Sequence, residues 1–76
     1  MRFSDELAIK EAVRNGDGDK LAEVVSHLGS RVWFDEIRNV VDDMPGSWRH
    51  IDTIGDVIVG NVTIKDDFGR AEVVRR

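Results

Sequence analysis

The stretch VIVGNVTIKDDFGRAEVV, Val57 to Val74, decides the fold. Gly60-Asn61 is a two-residue hairpin signal between two runs rich in β-branched residues. Folding at that turn sets Val59 against Val62, Ile58 against Thr63, Val57 against Ile64 and Asp56 against Lys65, which gathers the valines and isoleucines on one face. A four-residue loop over Asp66-Asp67-Phe68-Gly69 then sets Lys65 against Arg70, Ile64 against Ala71, Thr63 against Glu72 and Val62 against Val73. The apolar face again stays together. A slip of one residue would turn it to water, so agreement across two hairpins favours a β-meander. One long strand from Asp56 to Lys65 would split Val57 and Val59 from Val62 and Ile64 and ranks second.

Upstream, the pattern changes to a helical period. Ser4 is a suitable N-cap, Asp5 and Glu6 complement the helix dipole, and Leu7, Ala8, Ala12 and Val13 form a stripe, giving a first helix over about Asp5 to Asn15. Phe3 is placed to act as half of a hydrophobic staple. Asp19 is read as the cap of a second helix, whose Leu21, Val24, Val25 and Leu28 recur at i, i+3, i+4 and i+7 before Gly29 stops it. Ser30 is placed to cap a third helix over Val32 to Met44. Trp33, Ile37, Val40, Val41 and Met44 make one face of it, and Phe34 widens that face. Pro45-Gly46 suits positions i+1 and i+2 of a type II turn. Residues 47 to 54 read either as a short turn capped by Ser47 or as irregular chain. The expected architecture is α+β: three helices on one face of a small three-stranded antiparallel meander, order ααα-βββ. A helical part, 1 to 46, and a β part, 55 to 76, form one domain.

The chain has 76 residues, no cysteine and a net charge of -4. A chain this short buries only roughly 60% of its unfolded surface, which supports one core. Without disulfides or thiolate metal sites, that core must suffice or be supplemented by homodimerisation. The amino terminus shows no apolar leader pattern and no apolar run approaches the ~18 residues of a membrane span, so a soluble, cytoplasmic protein is expected. Residues 1 to 46 hold six Lys/Arg against ten Asp/Glu, whereas residues 47 to 76 hold five of each. The acidity lies in the helical part.

That distribution bears on function. Three helices followed by a hairpin is the order of a winged-helix DNA reader, but its third helix would meet phosphates with Asp35, Glu36, Asp42 and Asp43 against a single Arg38. Asn15, Asp17 and Asp19 alternate like the start of a calcium loop, yet Lys20 stands where loop position 6 needs glycine and Ser26 where position 12 needs glutamate. No metal or cofactor is therefore expected. His27 and His50 lack convergent ligands or acid-base partners; His50, beside Trp48 and Arg49, is the better contact candidate. Ser4, Ser30 and Ser47 fall at expected cap positions, Ser26 falls inside an expected helix, and no nucleophile elbow or phosphate loop occurs. No catalytic residue is assigned and an enzyme is not expected.

Two features remain. Asp42-Asp43 puts negative charge at a helix C-terminus, against the dipole, with Arg38 offsetting Asp42 at i, i+4. Trp48 and Arg49 are residue types enriched at binding hot spots. Asp35, Glu36, Asp42, Asp43, Trp48 and Arg49 are accordingly the candidate partner-binding residues. The expected function is a non-enzymatic protein-binding module that docks on a basic surface of a nucleic-acid-handling protein. It would act as an inhibitor or adaptor, by analogy with small phage-encoded inhibitors of host systems. The alternatives are a winged-helix-like DNA-binding regulator and a dimeric structural or regulatory subunit.

Overall fold

The computed structural model describes residues 1 to 76. The elements run α1 (Phe3–Arg14), α2 (Gly18–Leu28), a 3-10 turn (Gly29–Arg31), α3 (Phe34–Asp42), a second 3-10 turn (Ser47–Arg49), β1 (Val57–Val59), β2 (Val62–Asp67) and β3 (Arg70–Arg75). The strands form an antiparallel sheet in the order β1-β2-β3, giving the α+β class expected. Ile9, Ala12 and Val13 of α1, Leu21, Ala22, Val25 and Leu28 of α2, and Phe34, Ile37 and Val41 of α3 close over Val57, Val59, Val62 and Ile64 of the sheet. Asp56 is the one buried charged residue. Lys65 Nζ meets its carboxylate at 3.2 Å, so burial leaves no unpartnered charge there.

The first hairpin has the expected register, with Val59 opposite Val62, Ile58 opposite Thr63 and Val57 opposite Ile64. Gly60 takes φ 57°, as the first position of a two-residue hairpin turn requires. The second hairpin corrects the expectation. Asp67 pairs with Arg70, Asp66 with Ala71, Lys65 with Glu72 and Ile64 with Val73, so the turn is Phe68-Gly69 alone. Phe68 (φ 52°) and Gly69 (φ 93°) both have positive φ, the type I′ arrangement, and Asp66 Oδ1 accepts from Gly69 N at 2.6 Å. Aspartates are poor strand formers, which is why the sequence reads as loop there; local bonds to the turn compensate. The register differs by two residues rather than one, so the buried face is preserved.

The helix starts also differ. α1 begins at Phe3 with Arg2 as N-cap, so Ser4 caps nothing, and Phe3 stands in solvent instead of stapling the first turn. Asp17, not Asp19, caps α2, accepting from Lys20 N at 3.0 Å. Gly18 in the first turn of α2 lies against the sheet, where any side chain would collide with the Val59 carbonyl. That packing sets the start of the helix. A 3-10 turn replaces the Ser30 cap. α3 starts only after Trp33, whose N–H donates to Glu36 Oε2 at 2.8 Å. Phe34 thereby takes the core position and Trp33 leaves it. Pro45-Gly46 forms the expected turn: Gly46 has φ 72° and Ser47 N donates to Met44 O at 3.2 Å. Residues 50 to 52 run along the outer edge of β1, with Ile58 N donating to His50 O at 2.8 Å and Asp52 N to Asp56 O at 3.1 Å. They cover an edge that would otherwise be open to pairing.

Candidate interaction surface

α3 lies with Phe34, Ile37 and Val41 inward, which leaves its carboxylates outward but spread over two flanks. Asp35 and Asp42, seven residues apart, share the flank of Arg38, whereas Glu36 and Asp43 share the flank that faces α1. Arg38 is paired to Asp35 at 3.3 Å rather than to Asp42, correcting the expected i, i+4 contact, and its guanidinium stacks over the Phe34 ring at 5.7 Å. Glu36 is engaged twice, by Trp33 N and by the Met1 amine at 3.6 Å. Asp42 and Asp43 are exposed and form no ion pair. The acidic set is therefore partly neutralised from within. Its unpaired carboxylates sit at the C-terminal end of α3, where Asp43 shares a cleft with Lys10, Arg14 and Arg49 and Asp42 lies outside it.

The aromatic side chains are distributed unlike a core. Of three Phe and two Trp, only Phe34 is buried; Phe3 is 71% exposed, Trp33 55%, Trp48 76% and Phe68 100%. Both indoles lie under guanidinium groups, Arg70 over Trp33 and Arg49 over Trp48, each at 5.2 Å. These contacts restrict the rings without covering them. Trp33 forms an isolated β-bridge with Arg70, Phe34 N donates to Gly69 O at 2.8 Å, and the Trp33 ring lies over Gly69. Trp33, Gly69 and Arg70 thus meet at the β2–β3 turn, and Phe68 stands wholly in solvent at its tip. The sequence reading missed that cluster. Trp33 is expected on the core face and lies outside it, whereas Phe68 falls in the turn, as its expected place in the loop before Gly69 implies.

No protein-family model matches the chain, and no curated protein or solved structure matches it either.

The other candidate residues have ordinary roles. Asp19 pairs with Arg75 at 2.6 Å and Asp17 caps α2. No group of three His, Cys, Asp or Glu side chains is close enough to hold a metal ion. His27 is exposed, and its carbonyl accepts from Arg31 Nη2 at 2.7 Å. His50 Nδ1 lies 3.2 Å from Ile58 O, which binds the ring to the β1 edge. No helix is long and apolar enough to cross a membrane.

Proposed function

We propose that the chain is a non-enzymatic protein-binding module, an acidic inhibitor or adaptor that docks on a basic surface of a nucleic-acid-handling partner. The observation that carries this reading is the placement of four of five aromatic side chains outside the core. Each Phe or Trp buries roughly 150–250 Å² when covered, among the largest contributions a side chain makes to an interface. A small domain that leaves such side chains in water forgoes stability it can ill spare, and a docking role accounts for the loss. Trp48 is exposed on the 3-10 turn that follows the unpaired carboxylates Asp42 and Asp43 in the chain, so an aromatic anchor and carboxylates both occur near the C-terminal end of α3. Complementary charge on a partner would speed encounter and fix orientation.

The test is affinity capture with wild type beside Asp42→Lys/Asp43→Lys and Trp48→Ala, the prey identified by mass spectrometry and the captured complex then titrated. A basic nucleic-acid-handling protein held only by wild type supports the reading, with Trp48→Ala costing about 2 kcal/mol, roughly 30-fold in affinity. Identical prey on all three baits rejects it. The dimeric alternative has one supporting observation: Ile58, Thr63 and Val74 form a half-buried row across the open face of the sheet. Light scattering that gives twice the 8.6 kDa chain mass would favour it.

A further inference from the structure

α1 and α3 bring their C-terminal ends together, and between them and the Ser47–Arg49 turn lies a groove of about 440 Å³. In a protein of net charge -4, this groove is basic. Lys10 and Arg14 stand on one wall, Arg49 and His50 on the other, and Val13 and Met44 supply its apolar lining. Asp43 is the only carboxylate among the lining side chains. Lys10 is partly offset by Glu6 at 3.8 Å. Arg14 and Arg49 make no ion pair and no side-chain hydrogen bond within the molecule. One cation at the end of α1 is explained by the helix dipole; Arg49 comes from a separate element that lines the same space, and its stacking over Trp48 leaves its charge without a carboxylate partner.

The same side of α1 continues beyond the groove. Phe3, Leu7, Lys10 and Arg14 recur at i, i+4, i+7 and i+11 and form one stripe, with Phe3 and Leu7 exposed. The stripe is apolar over its first half and cationic over its second.

We propose that this stripe and groove form a second docking site, for an acidic peptide segment of a partner protein. Its carboxylates would sit between Arg14 and Arg49, and its apolar side chains would lie on Leu7 and Phe3. A guanidinium on each wall suits carboxylates approached from two sides, each arginine offering a planar fork of donors. The cations are spread along a helical turn and continue into apolar surface. That favours an extended amphipathic peptide over a compact anion such as phosphate. A flat anionic membrane fits less well, because the cations face one another across a concave groove. The site shares only Asp43 with the carboxylates of α3; Asp35, Glu36 and Asp42 lie outside its lining.

The experiment is fluorescence anisotropy with a fluorescein-labelled synthetic peptide carrying leucines at one end and glutamates at the other. A glutamine-substituted copy and inorganic phosphate serve as comparison ligands. Saturable binding that weakens at least about tenfold for the glutamine peptide, and about tenfold for Arg14→Glu and for Arg49→Glu, is expected. Lys20→Glu makes the same change of charge outside the groove and leaves affinity within about twofold. Asp43→Asn removes the opposing carboxylate and tightens binding. Amide chemical-shift mapping on the unaltered protein is expected to place the peptide on residues 3 to 14 and 43 to 50. The proposal is overturned by absence of binding at about 1 mM peptide, by equal affinity for the glutamine peptide, by phosphate binding as tightly as the peptide, by equal weakening in Lys20→Glu, or by shifts confined to other surfaces. Asp42→Lys alone, outside the groove lining, is added to the affinity capture: it perturbs the α3 patch and leaves the groove unchanged, so failure of the α3 reading and failure of this one are separable.

Discussion

Replacing Phe68 with asparagine removes a conformational cost and forfeits no packing, so the expected outcome is a more stable protein. Phe68 has φ 52° and is fully exposed. Left-handed backbone costs an ordinary L-residue roughly 1–2 kcal/mol, and asparagine tolerates it best after glycine because its short side chain bonds locally. With no buried surface lost, a gain of about 0.5–1 kcal/mol is expected. The unfolding entropy of a 76-residue domain is about 160 cal/mol/K, at about 2.1 cal/mol/K per residue, so Tm rises by about 3–6 °C. Phe68→Gly relieves the same strain but loosens the unfolded chain, and it should fall between wild type and Phe68→Asn. The assay is thermal and urea unfolding followed by circular dichroism, with the urea m-value checked for constancy. If Phe68→Asn melts at or below wild type, the phenyl ring contributes native contacts and the strain argument is wrong. If it melts higher but binds the partner less well, Phe68 is an anchor retained at a cost in stability.

Further outcomes follow from individual contacts. Gly18→Ala places a methyl group against the Val59 carbonyl and 2.9 Å from Asn61 Oδ1, and should cost about 2–3 kcal/mol despite alanine's better helix propensity; an unchanged urea midpoint would mean that α2 lifts off the sheet easily. Phe34→Ala empties the largest fully buried site and should cost about 3–5 kcal/mol, whereas Trp33→Ala, one residue earlier and exposed, should cost under about 1 kcal/mol; a reversed order in denaturant unfolding would refute the placement of α3. Asp52 Oδ1 accepts from Ile54 N at 3.0 Å and Asp56 N at 2.9 Å, so Asp52→Ala should cost about 1–2 kcal/mol and speed hydrogen exchange at those two amides first. Asp42→Asn relieves charge at the C-terminus of α3, outside the cationic groove, and should add about 0.3–1 kcal/mol at low salt, the gain fading by ~1 M salt; a gain indifferent to salt would rule out the electrostatic cause.

Much of the fold was legible because its signals are local. Leu21, Val25 and Leu28 repeat with the helical period, Gly29 and Pro45-Gly46 stop helices by their backbone preferences, and Gly60-Asn61 sets a two-residue turn whose register follows by counting. Those properties belong to single residues and near neighbours, and they sufficed for the ααα-βββ order and the valine and isoleucine face of the sheet. The second hairpin was not legible to the residue, because two patterns keep the same face inward and only the bonds of Asp66 and Asp67 around Phe68-Gly69 select between them.

The surface depended more heavily on tertiary structure. Trp33 and Phe34 are adjacent and both aromatic, so periodicity alone ranked them together. The bond from Phe34 N to Gly69 O sets where α3 begins, and that start sends Phe34 inward and Trp33 out to Arg70. Likewise Lys10, Arg14 and Arg49 are dispersed along the chain and become one basic groove only because α1 and α3 align their C-terminal ends. Local propensity acts over a few residues and determined which segments are helix or strand; the packing of those segments against one sheet decided which side chains reach water together.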